Sequence, residues 1–349
     1  MRKKHGTLGA VAAALTLAVV AAACSSNDSS STTDGATGST GAADLTGSIV
    51  ISGSSTVQPI SSLAAELFNE TSPNVAISVD GPGTGDGFVL FCNGETDISD
   101  ASRQIEPEEA KACKKSGIDY TELEIGLDGI TVMTNPANSG VECLNLGDLY
   151  ALFGPESTGI DTWSGADSLA KQVGGTGGFP DAPLEITAPG EESGTYDSFI
   201  DLAGIEDTGI EQGLSEDEAA ALRSDYNGSP DDNVIITAME DSESALGFVG
   251  FAYAEEAADL VKEIQVDGGS GCVAPTTETI SDGSYPLSRS LYIYENNDKV
   301  AENPALAAFV DYYVSDEGLN TAVSETGFVT LPAERITATQ STWSSASGS

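Results

Sequence analysis

Three short segments of the chain repeat one chemical design. Ser54-Ser55-Thr56-Val57, Gly83-Thr84-Gly85-Asp86-Gly87 and Ser193-Gly194-Thr195-Tyr196 each set hydroxyls or glycines just ahead of an amphipathic run. At a helix start the first backbone N–H groups have no partner inside the helix, and the helix dipole adds positive potential. Hydroxyl donors at that point make a ready anion site, and glycine lets the backbone come close to ligand oxygens. A single Ser or Thr there is more often a helix cap than a ligand. It is the recurrence that points to an oxyanion, with Ser55, Thr56, Val57, Thr84, Ser193, Gly194 and Thr195 as candidate donors.

A fourth segment adds charge. Ser102-Arg103 follows a short strand-like stretch, and a guanidinium can fork onto two oxygens of one anion. The chain has 13 Lys and Arg against 55 Asp and Glu, so an arginine here is a candidate ligand. The alternative for Arg103 is an ion pair with a neighbouring carboxylate.

Hydrolytic chemistry finds little support. The only histidine is His5, within the leader described below, which removes a Ser-His-Asp triad or a His-ligated zinc from the mature chain. Ser193 lacks the glycine two residues earlier that a nucleophile elbow requires. There is no Gly-Lys pair for a P-loop, and the glycine-rich turn lacks dinucleotide spacing. No C-x-x-C spacing suggests a metal.

The elements that must carry these turns follow from periodicity. Ser48 to Ser52 reads as a strand, and Ile60, Leu63, Ala64, Leu67 and Phe68 recur at helical spacing after Pro59. Val75 to Val79 is a second strand, and a third falls around Asp97 to Ser99. Gly129 to Thr134 and Ala245 to Phe251 are apolar enough for buried strands. Tyr196, Phe199, Ile200 and Ala203 share a helical face, as do Leu306, Phe309, Val310 and Tyr313. Strand, turn and helix in alternation predict an α/β sheet that binds ligands at strand carboxyl ends.

The amino terminus shows a different design. Arg2, Lys3 and Lys4 precede an apolar stretch from Leu8 to Ala22, then Ala23-Cys24. This is an export leader, too short for an ordinary membrane span. The small residues before Cys24 resemble the lipobox of bacterial lipoproteins, which implies cleavage at Cys24 and lipidation of its sulfur. Residues 24–46 are rich in Ser, Thr, Gly and Ala and read as a flexible tether. Cys92, Cys113, Cys143 and Cys272 remain, an even number in an exported chain. Of three connectivities, Cys92–Cys113 with Cys143–Cys272 is favoured, because the first pair brackets one compact segment. A formal net charge of −42 disfavours nucleic acid as a partner. It does not exclude an anionic ligand, since repulsion is screened within about 10 Å while hydrogen bonds act at contact.

Several strings in order resemble the phosphate-binding proteins of phosphate ABC transporters: Gly53-Ser54-Ser55-Thr56-Val57, Asp97 to Arg103, Asp128 to Val132, Ser193-Gly194-Thr195, Leu246 to Gly250 and Tyr285-Pro286-Leu287-Ser288-Arg289. The resemblance implies a two-lobed periplasmic-binding-protein fold of type II, with one anion in the interlobe cleft and a two-strand hinge. It implies no cofactor and no catalysis, inorganic phosphate as ligand, and permease and ATPase subunits as partners of a monomeric, lipid-anchored protein. Residues 1–23 would be the leader and 24–46 the tether. Residues 47–130 and 285–336 would form one lobe, 131–284 the other, and 337–349 a polar tail. Ser102 stands where some members place an Asp that accepts the phosphate proton, which makes Asp128, then Glu191, the candidate acceptors. Some members also carry an Arg before Ser-Gly-Thr, here absent, which leaves Arg103 as the compensating cation. Sulfate or molybdate, and a secreted phosphatase-like hydrolase, are the alternative readings.

Overall fold

The computed structural model describes residues 45–191 and 193–348. The leader, Cys24 and nearly all of the tether therefore lie outside the described residues. β1 (Gly47–Gly53) pairs in parallel with β2 (Val75–Asp80) on one side and β3 (Ile98–Ala101) on the other. The crossovers are helices, as parallel pairing demands: α1 (Gln58–Thr71) and α2 (Thr84–Cys92). α1 buries Ile60, Ala64 and Phe68 at the predicted spacing. After α3 (Pro107–Ser116) comes β4 (Tyr120–Thr134), at 15 residues the longest strand described.

A second parallel set follows. β5 (Cys143–Asn145) belongs to a small separate sheet, while β6 (Glu185–Pro189) leads into α4 (Gly194–Leu202). β7 (Asn227–Ser229) and β8 (Ala245–Gly250) both lie parallel to β6. β9 (Lys262–Glu263) is short and pairs with β4. β10 (Gln265–Asp267) and β11 (Cys272–Val273) complete the small sheet with β5. The chain then returns through β12 (Ser288–Asn296) to α5 (Pro304–Tyr313) and α6 (Ala333–Ser347).

The main sheet runs β2-β1-β3-β12-β4-β8-β6-β7. Two parallel α/β units are thus joined by two long antiparallel strands. β4 pairs with β12 from Tyr120 to Gly129, then changes partner to β8 from Ile130 to Thr134. It therefore passes from one unit into the other, and the changeover marks the two-strand hinge of a two-lobed fold.

Both disulfides form as expected, Cys92–Cys113 joining α2 to α3 and Cys143–Cys272 joining β5 to β11. The first lies in a satellite core with Phe88, Phe91, Ala101 and Tyr294. Among the described residues no helix is long and apolar enough to cross a membrane.

The polar tail read at 337–349 requires correction, because helix α6 extends through Ser347. Ile336, Thr339 and Trp343, three and four residues apart, turn one face to the core. Thr339 donates to the Glu124 carbonyl at 2.7 Å, and Trp343 Nε1 donates to Asp311 at 2.5 Å. Serine and threonine on the other face had disguised a short amphipathic helix.

Candidate functional site

The carboxyl ends of β1, β2, β3 and β6 bring the predicted turns together. Ser54 N–H donates to the Asp100 carbonyl at 2.9 Å, and Gly83 N–H donates to the Gly53 carbonyl at 2.9 Å. Gly87 lies so near Gly53 that a Cβ on it would stand 2.4 Å from the Gly53 Cα. Only glycine allows that approach, and it sets the α2 start beside the α1 start. Ser54 Oγ accepts from Val57 N–H at 3.3 Å, holding the first turn of α1.

Side chains continue the assembly. Thr84 and Ser102 hydroxyls lie 3.0 Å apart, and Ser102 N–H donates to Thr84 Oγ1 at 3.2 Å. From the other unit, Ser193 caps α4 by accepting from Thr195 N–H at 3.2 Å. A Cβ on Gly194 would lie 3.2 Å from the Thr56 Cα, so the α4 start presses directly on the α1 start. Thr56 and Ser198 hydroxyls meet at 3.1 Å, and Ser55 Oγ donates to Asp197 at 2.7 Å. Helix starts at Thr56, Thr84 and Ser193 thus converge, as their shared design predicts.

The two cations divide differently from expectation. Arg103 forks onto Glu109 of α3, at 2.9 Å and 2.8 Å, and its side chain is 38% exposed. The Glu109 hydrogen bond pushes the Arg103 guanidinium further up. Burial works to raise the Glu109 carboxyl, but the Arg103 fork and the Glu106 N–H bring it below its ordinary value. Arg103 stays near the turns, with Nη2 4.0 Å from where a Cβ on Gly85 would lie. Its ion-pair alternative is the one the structure realises.

Arg289 occupies the middle of the assembly instead. Its Nη2 donates to Ser198 Oγ at 2.8 Å and to Thr56 Oγ1 at 3.3 Å. Its Nε faces Asp128 at 3.4 Å, and its Nη1 pairs with Asp201 of α4. Asp128 and Arg289 are direct register partners on β4 and β12, so the hinge strands themselves fix the pair. Asp128 is 3% exposed, whereas Glu191 is exposed on the turn before α4. The sequence had shown Arg289 only as the end of a familiar string. Ser198 and Asp201 carried no signal beyond their place one and two turns into α4.

Hydroxyls and helix starts from both units therefore meet around Thr56, where Arg289 donates to Thr56 and Ser198 and Asp128 stands beside its Nε, with the Thr84–Ser102 pair on the neighbouring helix start. Such a set can desolvate and hold a small tetrahedral oxyanion, since every donor is fixed by secondary structure or by a neighbour. Among the described residues no cluster of three or more His, Cys, Asp or Glu could hold a metal ion.

A profile of the PBP superfamily domain matches residues 27–317. The chain is 38% identical over 291 residues to protein SphX of Synechocystis, covering 82% of this chain and 79% of that protein. It is 33% identical to the phosphate-binding protein PstS of Staphylococcus saprophyticus, covering 88% of each. Among solved structures, a possible phosphate binding protein from Planctomyces limnophilus superposes with a TM-score of 0.76 at 35% identity. That match covers 87% of this chain and 99% of the other. The chain belongs to the PBP superfamily, in the family of the PstS-type phosphate-binding proteins.

Proposed function

We propose that this protein is an extracytoplasmic solute-binding protein that captures inorganic phosphate in its interlobe cleft and delivers it to an ABC importer. The observation that carries this reading is the meeting of Thr56, Gly194, Ser198 and Arg289 across the two units. The names of the PstS and Planctomyces relatives support the choice of phosphate. Residues 47–130 and 285–336 form one lobe on this reading, and residues 131–284 form the other. Ser55, Thr56, Val57, Thr84 and Ser102 donate from the first lobe, Ser193, Gly194 and Thr195 from the second, and Arg289 supplies the central charge. Arg103 lends longer-range attraction at the rim.

Asp128 is the proposed acceptor for the phosphate proton, which sulfate lacks at neutral pH. Sulfate, with no proton to donate, would set an oxygen against the Asp128 carboxylate with no hydrogen between them, at a cost on the order of several kcal/mol. The protein acts as a monomer tethered through lipidated Cys24 and carries out no catalysis.

Thermal unfolding of anion-stripped protein with phosphate, sulfate and molybdate added separately tests the proposal. Phosphate at a hundredfold excess over Kd should add about 2.7 kcal/mol of stability, and sulfate far less. An unchanged transition with phosphate would overturn the reading, and equal stabilisation by sulfate would remove Asp128 from its role.

A further inference from the structure

Directly behind the phosphate turn of the first lobe lies a buried acid with no base to neutralise it. Asp100 of β3 is fully buried, and its backbone carbonyl accepts the Ser54 N–H. Its Oδ1 accepts from Ser61 Oγ at 2.8 Å, and Ser61 in turn meets the Tyr313 hydroxyl at 2.9 Å. Its Oδ2 has no hydrogen-bond partner. Ser61 N–H donates to the Val57 carbonyl, so the Asp100 carboxyl touches α1 one turn below the start that faces the anion.

Among the described residues the surroundings supply no compensating charge. β1 brings no titratable side chain, and Glu66 and Glu70 of α1 are exposed. From α5, Tyr313 faces Asp100 through Ser61, while Asp311 is exposed. From β12, Ile293 stands opposite Asp100, and Glu295 lies two residues on along the same face. Glu295 is itself fully buried with both carboxyl oxygens unpartnered, and burial holds it well above the usual carboxylate range. Burial raises Asp100 to about 7, with the Ser61 hydrogen bond opposing.

We propose, on the phosphate-binding reading above, that Asp100 is a proton-linked positioning residue for the anion site. Its carboxyl is neutral while the cleft holds phosphate, and its ionisation weakens phosphate binding. The reason is competition for one positive end. A carboxylate at Asp100 and an anion at Thr56 would both draw on the first turn of α1, and each raises the free energy of the other. By linkage, phosphate binding above neutral pH pulls one proton from solvent onto Asp100. No bond other than that O–H is made or broken.

The test is the ratio of wild-type to Asp100→Asn phosphate affinity, measured by calorimetry from about pH 5.5 to about pH 8.5. The ratio cancels the titration of phosphate itself. It should be near one at the acid end and fall about tenfold by the alkaline end. A flat ratio would overturn the inference and leave the phosphate reading intact, whereas a wild-type protein that fails to bind phosphate would overturn both. Infrared difference spectra of the wild type on phosphate addition at about pH 8 give a second readout that needs no variant. A gained protonated-carboxyl band supports the proposal, and its absence contradicts it.

Discussion

The two halves of the proposed anion site are built in different ways. The first-lobe half is knit by backbone: Ser54 to Asp100, Gly83 to Gly53, and the Gly87–Gly53 contact that a single Cβ would destroy. The second-lobe half is one helix, α4, whose polar contacts to the first lobe and hinge, among the described residues, run through the side chains of Asp197, Ser198 and Asp201. Backbone contacts hold a geometry, while a few side-chain hydrogen bonds, at roughly 1 kcal/mol each, can be exchanged for contacts with a ligand. On the phosphate reading the first half is a fixed cradle and the second a face that closes on it.

Arg289→Ala should break that comparison most severely. From the hinge strand β12, Arg289 contacts Thr56 of the first half and Ser198 and Asp201 of the second, and its loss leaves Asp128 buried without its partner. We expect stability to fall by about 3–5 kcal/mol and phosphate affinity to fall roughly a hundredfold or more, read by denaturant unfolding and calorimetry. Gly87→Val should come next and act on the cradle alone. Its Cβ would overlap Gly53, costing on the order of 3 kcal/mol of stability and visible as a lowered Tm even without phosphate.

Thr195→Ala should weaken phosphate binding about tenfold while leaving the Tm of the anion-free protein nearly unchanged, as expected of the closing face. A pH-dependent effect sharpens the cradle. Asp100 has its folded pKa raised from 3.8 to about 7, so the folded state binds the extra proton and stability declines as pH rises between those values. Asp100→Asn should therefore raise the Tm more above pH 7 than below pH 4, and an equal shift at both ends would contradict this. Arg103→Ala should change affinity only a few-fold, because its partly exposed guanidinium is already paired with Glu109.

The sequence made the turns legible because their signal is local. A hydroxyl or glycine, a helix start and the amphipathic run behind it lie within a dozen residues of one another, as at Thr56, Thr84 and Ser193. The role of Arg289 was not legible, since its partners Thr56, Asp128 and Ser198 are 233, 161 and 91 residues away and meet it only through sheet register. Arg103 had looked central because of its neighbours in sequence, but Glu109 at the start of the next helix reaches it first. The α6 helix escaped notice because its buried positions, Ile336, Thr339 and Trp343, are sparse in a run of serine and threonine. Buried acids such as Asp100 leave no trace in a chain this acidic.

The most direct measurement is a crystal structure of the protein with phosphate bound. The account predicts one anion whose oxygens accept from the Thr56 turn, the Ser193–Thr195 turn and Arg289 together. An anion held by one lobe only, or bound away from Arg289, would contradict it.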